Sequence, residues 1–260
     1  MPSKRRSAWV AATTAAAALS LCGALAAQEF EARVFKDDQG RSLPYRLLKP
    51  RDYDPGKKYP LVLFFHGAGE RGDDNQAQLK NAVAVFAQEK NLKKFPCFVV
   101  VPQCPSGVRW VEMDWGADSG VAPAEPSSAM RLGMATLAAL QNEFSIDARR
   151  VYAAGISMGG FGVWDALSRY PGRFAAGVAV CGGGDESKAG AIGKTPVWAF
   201  HSDDDPIVKV ARSRNMVKAL RDAGGKVRYT EYQKLGHVSW DRAFGEPKLL
   251  PWLFSQRRAP

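Results

Sequence analysis

Residues 155–159 read Gly-Ile-Ser-Met-Gly, a serine with glycine two positions to either side. The run RVYAAG before it suits a strand, and FGVWDALSRY after it carries apolar residues at helical spacing until Pro171 and Gly172. A serine on so sharp a strand-to-helix turn is a nucleophile elbow, with the glycines letting strand and helix approach without a Cβ clash. Ser157 is therefore the expected nucleophile. The run LVLFFHGAGERG supplies a second element of that chemistry, because His66-Gly67-Ala68-Gly69 follows a strand where backbone amides must face a reacting carbonyl oxygen. The amides of Ala68 and Met158 are the expected oxyanion hole.

Such a serine needs a base and an acid. In this arrangement the chain order is serine, acid, histidine, and of the three histidines only His237, in LGHVSW after the strand VRYTEY, lies late enough. His66 precedes the nucleophile and is read as shaping the oxyanion loop. His201 closes a strand and is read as a buried, hydrogen-bonded group. Asp203, Asp204 and Asp205 compete for the acid; Asp205 is chosen because it precedes Pro206, with Asp203 as the alternative if Asp205 only caps the next helix. Three dispersed histidines without HExxH or CxxC spacing argue against a metal site, and serine chemistry of this kind needs no cofactor.

The elements that would position these residues follow from the pattern. Eight candidate strands fall near 29–36, 42–49, 59–65, 97–102, 150–155, 174–181, 196–201 and 227–233. The first two suit a hairpin around Asp38, Gln39 and Gly40. From Tyr59 onward, continuous apolar strands alternate with helical patterns near 74–90, 127–144, 158–170, 206–223 and 239–256. That alternation implies an α/β architecture, a mostly parallel sheet with helices on both faces. Its ligands bind beyond the carboxyl ends of the strands, where every motif above falls.

The first 27 residues carry Lys4, Arg5 and Arg6, then an Ala/Leu-rich stretch and small residues near Ala24, Ala26 and Ala27, the pattern of a signal peptide. The rest, 28–260, has the length of one α/β domain. Secretion or periplasmic export is expected, without integral membrane association. The chain carries a net charge of +10, and loss of the leader removes three of those charges. Lys209, Arg212, Arg214, Lys218 and Arg221 fall on one expected helix and read as a solvated face, so no nucleic acid partner is inferred. Beyond the leader the cysteines are Cys97, Cys104 and Cys181. A strand between the first two would hold their Cα atoms roughly 23 Å apart, too far for a disulfide.

Taken together, HGAGERG, RVYAAGISMGGFGVWDALSRYPGRFAA, CGGGD, HSDDDP and GHVSWDRAF resemble the secreted α/β-hydrolase carboxylesterases grouped with polyhydroxybutyrate-depolymerase-like and feruloyl esterases. These are distant relatives of the prolyl oligopeptidase catalytic domain. The resemblance implies an α/β-hydrolase fold and ester hydrolysis by Ser157, Asp205 and His237 through an acyl-enzyme. Some relatives add an N-terminal immunoglobulin-like domain, for which the expected leader leaves no room here. Only about a dozen residues separate the strands ending near Gly183 and beginning near Pro196, so minimal or no lid is expected. Trp110 and Trp115, in the long connection from Cys104 to Pro126, and Trp240 beside His237 are the expected substrate-binding walls. Short-chain or aromatic esters, free or polymer-linked, are the expected substrates. A prolyl-oligopeptidase-like peptidase and a polyester depolymerase are the alternatives. Oligomeric state is not legible.

Overall fold

From Tyr59 to Phe65 every side chain is buried, as expected of a strand covered on both faces. The computed structural model describes residues 30–259, so the leader-like segment lies outside the described residues. Eight strands form one sheet in the order β1-β2-β4-β3-β5-β6-β7-β8. They are β1 (Glu31–Lys36), β2 (Ser42–Leu48), β3 (Tyr59–Phe65), β4 (Phe98–Pro102), β5 (Ile146–Ile156), β6 (Ala176–Val180), β7 (Val197–Ser202) and β8 (Val227–Tyr232). β1 and β2 pair antiparallel, as do β2 and β4; every other pairing is parallel.

Successive side chains of the central strands enter two cores. Leu61, Leu63, Phe65, Val151 and Ala153 join one with Trp164, while Val62, Phe64, Tyr152 and Ala154 join the other with Phe244. The helices on these faces are α1 (Glu89–Lys94), α2 (Ser128–Glu143), α3 (Met158–Arg169), α4 (Ala189–Ile192), α5 (Val210–Asp222), α6 (Trp240–Phe244) and α7 (Leu249–Ser255). The closest packing is between β3 and α3. A Cβ on Gly159 would overlap the Phe65 carbonyl, and one on Gly155 would lie 2.9 Å from that same oxygen.

Three expected elements differ. The helix near 74–90 is instead two 3₁₀ turns, Ala77–Leu79 and Val83–Ala87, leading to α1. Asn75 and Ala82 adopt positive φ there, and the Asp74 carboxylate takes the Gln76 and Ala77 amides in a local turn. The helix near 239–256 divides into α6 and α7 around Gly245 and Pro247. Helix α5 starts at Val210 because residues 206–208 turn over the Asp205 carboxylate, which accepts the Ile207 and Val208 amides at 2.8 and 2.9 Å. On α5, Arg212 is not part of a solvated face: it is fully buried, donates to the Gly184 carbonyl at 3.0 Å, and lies 5.4 Å from the Phe161 ring centre. Among the described residues no helix is long and apolar enough to cross a membrane.

Candidate active site

Strand β5 ends at Ile156 and helix α3 begins at Met158, so Ser157 alone makes the turn, at φ 52° and ψ −120°. A side chain beyond Gly rarely tolerates that conformation, and it is held by the Ser157 N–H donating to the Val180 carbonyl on β6 at 2.9 Å. The turn points Ser157 Oγ at His237, whose Nε2 lies 2.9 Å away. His237 Nδ1 donates in turn to Asp205 Oδ2 at 2.7 Å. Residues far apart in sequence thus form one continuous hydrogen-bonded line beyond the carboxyl ends of β5, β7 and β8.

The three adjacent aspartates have three different tasks. Asp203 accepts the Lys234 amide at 2.9 Å, and Asp204 accepts the Ser202 hydroxyl at 2.7 Å and the Gly236 amide at 2.8 Å. Both therefore fasten the loop that carries His237, and only Asp205 reaches its ring. Burial pushes the Asp205 carboxyl up, but hydrogen bonds from His201, His237 and the two amides outweigh it and hold the group well below the usual carboxylate range. Asp205 is accordingly ionised, as a partner for an imidazolium must be.

Ala68 opens a 3₁₀ turn directly after β3, and Met158 opens α3, so neither amide has a partner within its own helical segment. The loop reaches the nucleophile: a Cβ on Gly67 would lie 3.6 Å from Ser157 Cβ. Two free N–H groups beside an activated hydroxyl can receive the negative charge of a tetrahedral adduct. His66 holds this loop from below. Its Nδ1 donates to the Gly67 carbonyl at 2.6 Å and its Nε2 accepts the Cys104 amide at 2.9 Å, which fixes the ring as neutral. Burial pushes its pKa down to about 4, in keeping with that assignment.

The expected tryptophan walls divide. Trp110 is fully buried and donates to the His66 carbonyl at 3.0 Å, so it braces the loop after β3 from within and cannot wall a cleft. Trp115 is half-buried beneath the Arg109 guanidinium, 4.2 Å from its ring centre. Trp240 stands edge-on to His237 with ring centres 5.5 Å apart. Ile207, Leu235 and Val238, on the two loops that deliver Asp205 and His237, are exposed apolar side chains. A groove of about 750 Å³ between residues 80–95 and 241–251 contains none of Ser157, Asp205 or His237 and lies apart from this chemistry.

Two further polar contacts near the site leave little trace in the sequence. His201 meets the far side of Asp205 Oδ2 at 3.1 Å, a contact foreshadowed only by its position four residues before Asp205 in HSDDDP. Glu70, at the end of the Ala68–Glu70 turn, is buried, and Asn81 donates to one of its oxygens at 2.7 Å. Cys181, Asp205 and His237 have donor atoms within 4.8 Å of one another, but Asp205 and His237 already spend theirs on each other, so the cluster is a hydrogen-bonded pair beside a buried thiol.

Comparison with known proteins agrees with this fold. Residues 54–248 match the model of the Phospholipase/Carboxylesterase family. A solved thermostable esterase is 42% identical, with a TM-score of 0.82 over 89% of this chain and 64% of its own. The bifunctional acetylxylan esterase/xylanase XynS20E of Neocallimastix patriciarum is 23% identical over 72% of this chain, which spans only 25% of that protein. A ferulic acid esterase, at 16% identity and a TM-score of 0.64 over 87% of this chain and 98% of its own, shares the fold. With an eight-stranded, mostly parallel sheet and a serine elbow at its centre, the chain belongs to the phospholipase/carboxylesterase family of the α/β-hydrolase fold.

Proposed function

We propose that the protein is a serine carboxylesterase in which Ser157, His237 and Asp205 form the catalytic triad and the Ala68 and Met158 amides form the oxyanion hole. The single observation that carries this reading is the line from Ser157 Oγ through His237 to Asp205, at 2.9 and 2.7 Å. In the first half-reaction His237 Nε2 takes the Ser157 proton as Oγ attacks the ester carbonyl. The resulting oxyanion rests on the two amides. His237 then gives its proton to the departing alcohol, leaving an acyl-Ser157. Water, deprotonated by the same nitrogen, attacks that ester, and collapse returns the proton to Ser157 and releases the acid.

Short-chain or aromatic acyl groups are the proposed substrates. The exposed residues Ile207, Leu235 and Val238 offer a small nonpolar surround, and the buried Trp240 backs the His237 ring edge-on. The relatives named for acetylxylan and ferulic acid ester cleavage support the same choice, including esters pendant on a polymer. Export before action is also proposed, from the basic and Ala/Leu-rich residues at 1–27, with 28–260 as one catalytic domain. N-terminal sequencing of exported protein checks that step.

The test is a graded panel of acyl and feruloyl esters assayed beside a peptide series. Wild type should turn over esters with the optimum at short or aromatic acyl groups, and Ser157→Ala should lose at least about three orders of magnitude in kcat. Peptides cleaved faster than esters would place the protein with the peptidases that share its fold, and an active Ser157→Ala would end the triad reading.

A further inference from the structure

We infer that His201 is a second histidine of this site, a positioning residue that holds both ring protons and shares the Asp205 carboxylate with His237, setting the pH at which His237 acts as a base. Protons can be placed along this buried chain from its contacts alone. His201 Nε2 faces Asp205 Oδ2 at 3.1 Å and the Val208 carbonyl at 2.9 Å, and both are acceptors, so Nε2 carries a proton. His201 Nδ1 lies 2.7 Å from Ser213 Oγ, and that hydroxyl lies 2.7 Å from the Gly182 carbonyl, also an acceptor.

Ser213 has one proton for these two contacts. If it goes to Nδ1, two oxygen lone pairs face each other across 2.7 Å at Gly182. If it goes to Gly182, a neutral Nδ1 lone pair faces the Ser213 oxygen. Only a proton on Nδ1, donated to Ser213, with the Ser213 proton donated to Gly182, satisfies every contact. His201 and Ser213 are fully buried, where an unmade hydrogen bond is costly. The chain therefore reads Ser157–His237–Asp205–His201–Ser213–Gly182, with the central carboxylate between two rings.

The charged and titratable groups on the surrounding elements are consistent with a cation at this place. Glu231 on β8 is the cross-strand partner of His201, and its carboxylate is paired with Arg214 of α5 at 2.6 Å. Arg212, the other α5 cation nearby in sequence, turns away to Gly184 and Glu186. Asp205, His237 and the buried thiol of Cys181, whose polar atoms lie within 4.8 Å of one another, complete the set.

The consequence has a definite sign. A cation already bound to Asp205 reduces what that carboxylate can add to the stability of a His237 imidazolium. Withdrawing the His201 charge must move the acid limb of the kcat/KM profile upward, by about one pH unit for a charge at this range.

Two variants read this. His201→Gln keeps an amide donor toward Asp205 without the charge, and Ser213→Ala removes the acceptor that keeps the Nδ1 proton bound. Both should shift the acid limb up by about one pH unit, whatever happens to the plateau. A limb that stays at its wild-type position in both folded variants, with only the plateau lowered, would reduce His201 to packing and overturn the inference. Nitrogen-15 NMR of histidine-labelled Ser157→Ala protein at neutral pH gives a second reading, which is independent of activity. His201 should show two protonated ring nitrogens, against one in His66; a nonprotonated His201 nitrogen overturns the proposal. The kinetic arm rests on the triad reading. Full turnover by Ser157→Ala would strike that reading, and the NMR result would still decide this one.

Discussion

The three consecutive aspartates show how finely residue position divides labour in one loop. Asp205→Asn replaces an ionised acceptor that orients His237 by an amide able to present a donor instead, so the ring loses its preferred tautomer and its counter-charge. A fall in kcat of about 10⁴ is expected. Asp203→Asn and Asp204→Asn each keep an oxygen for the loop amides they receive, and steady-state kinetics should place both within about tenfold of wild type. A dead Asp203 variant beside an active Asp205 variant would transfer the acid role by two positions. His66 makes a different prediction. Its folded pKa, near 4, lies below its unfolded value near 6.5, so the unfolded chain binds a proton first as pH falls. Stability from this group is intact above about pH 6.5 and declines toward pH 4, by about 3 kcal/mol in all. Urea melts across that interval should show this slope in wild type and a shallower one in His66→Gln.

At the level of elements, the contact between β3 and α3 is the most demanding. Gly159 sits against the Phe65 carbonyl with no space for a Cβ, so Gly159→Ala must push α3 away from the sheet and with it the Met158 amide and Ser157. Little soluble, folded protein is expected from that variant. Gly69→Ala, where a Cβ meets nothing within 4 Å, should fold normally, as far-ultraviolet circular dichroism and thermal melts would report. The parallel strands were legible because residues buried on two faces leave unbroken apolar runs such as YPLVLFF, with glycine or proline marking their ends. The turn at Ser157, the histidine that meets it and the glycine-flanked loop after β3 were legible because each combines an unusual residue with a strand terminus. Pattern failed where side chains compete with the helix ladder. Asp74 captures the amides of Gln76 and Ala77, and Asp205 those of Ile207 and Val208, contacts that no apolar period records. Trp110 was misplaced for a related reason: a tryptophan in a long connection reads the same whether its indole faces a ligand or donates to the His66 carbonyl.

Over the whole molecule, the cysteines report on the layout of the sheet. Cys97 and Cys104 lie beyond opposite ends of β4, Cys181 follows β6, and all three are free and buried. Burial alone pushes the Cys97 thiol up to about 12, so native protein from residue 28 onward should scarcely react with a thiol reagent near neutral pH, while denaturation without reductant should release three equivalents.

The same layout bears on how substrate arrives. Between β6 and β7 the chain makes only the Glu186–Lys188 turn and the four residues of α4, too little to form a cover that swings over Ser157. The connection from β4 to α2 is longer but fastened down. Trp110 bonds to His66, Ala122 donates to Asp185 at 3.0 Å, and the Asp118 carbonyl accepts Asn215 at 2.9 Å. With neither connection free to open, an oil surface has no closed state of theirs to disfavour, and turnover should follow ordinary saturation in dissolved ester. A rate curve for a short-chain ester carried through its solubility limit measures this directly. The rate should level off before the limit is reached. A steep rise only above it would mean that the 104–126 connection detaches at an interface.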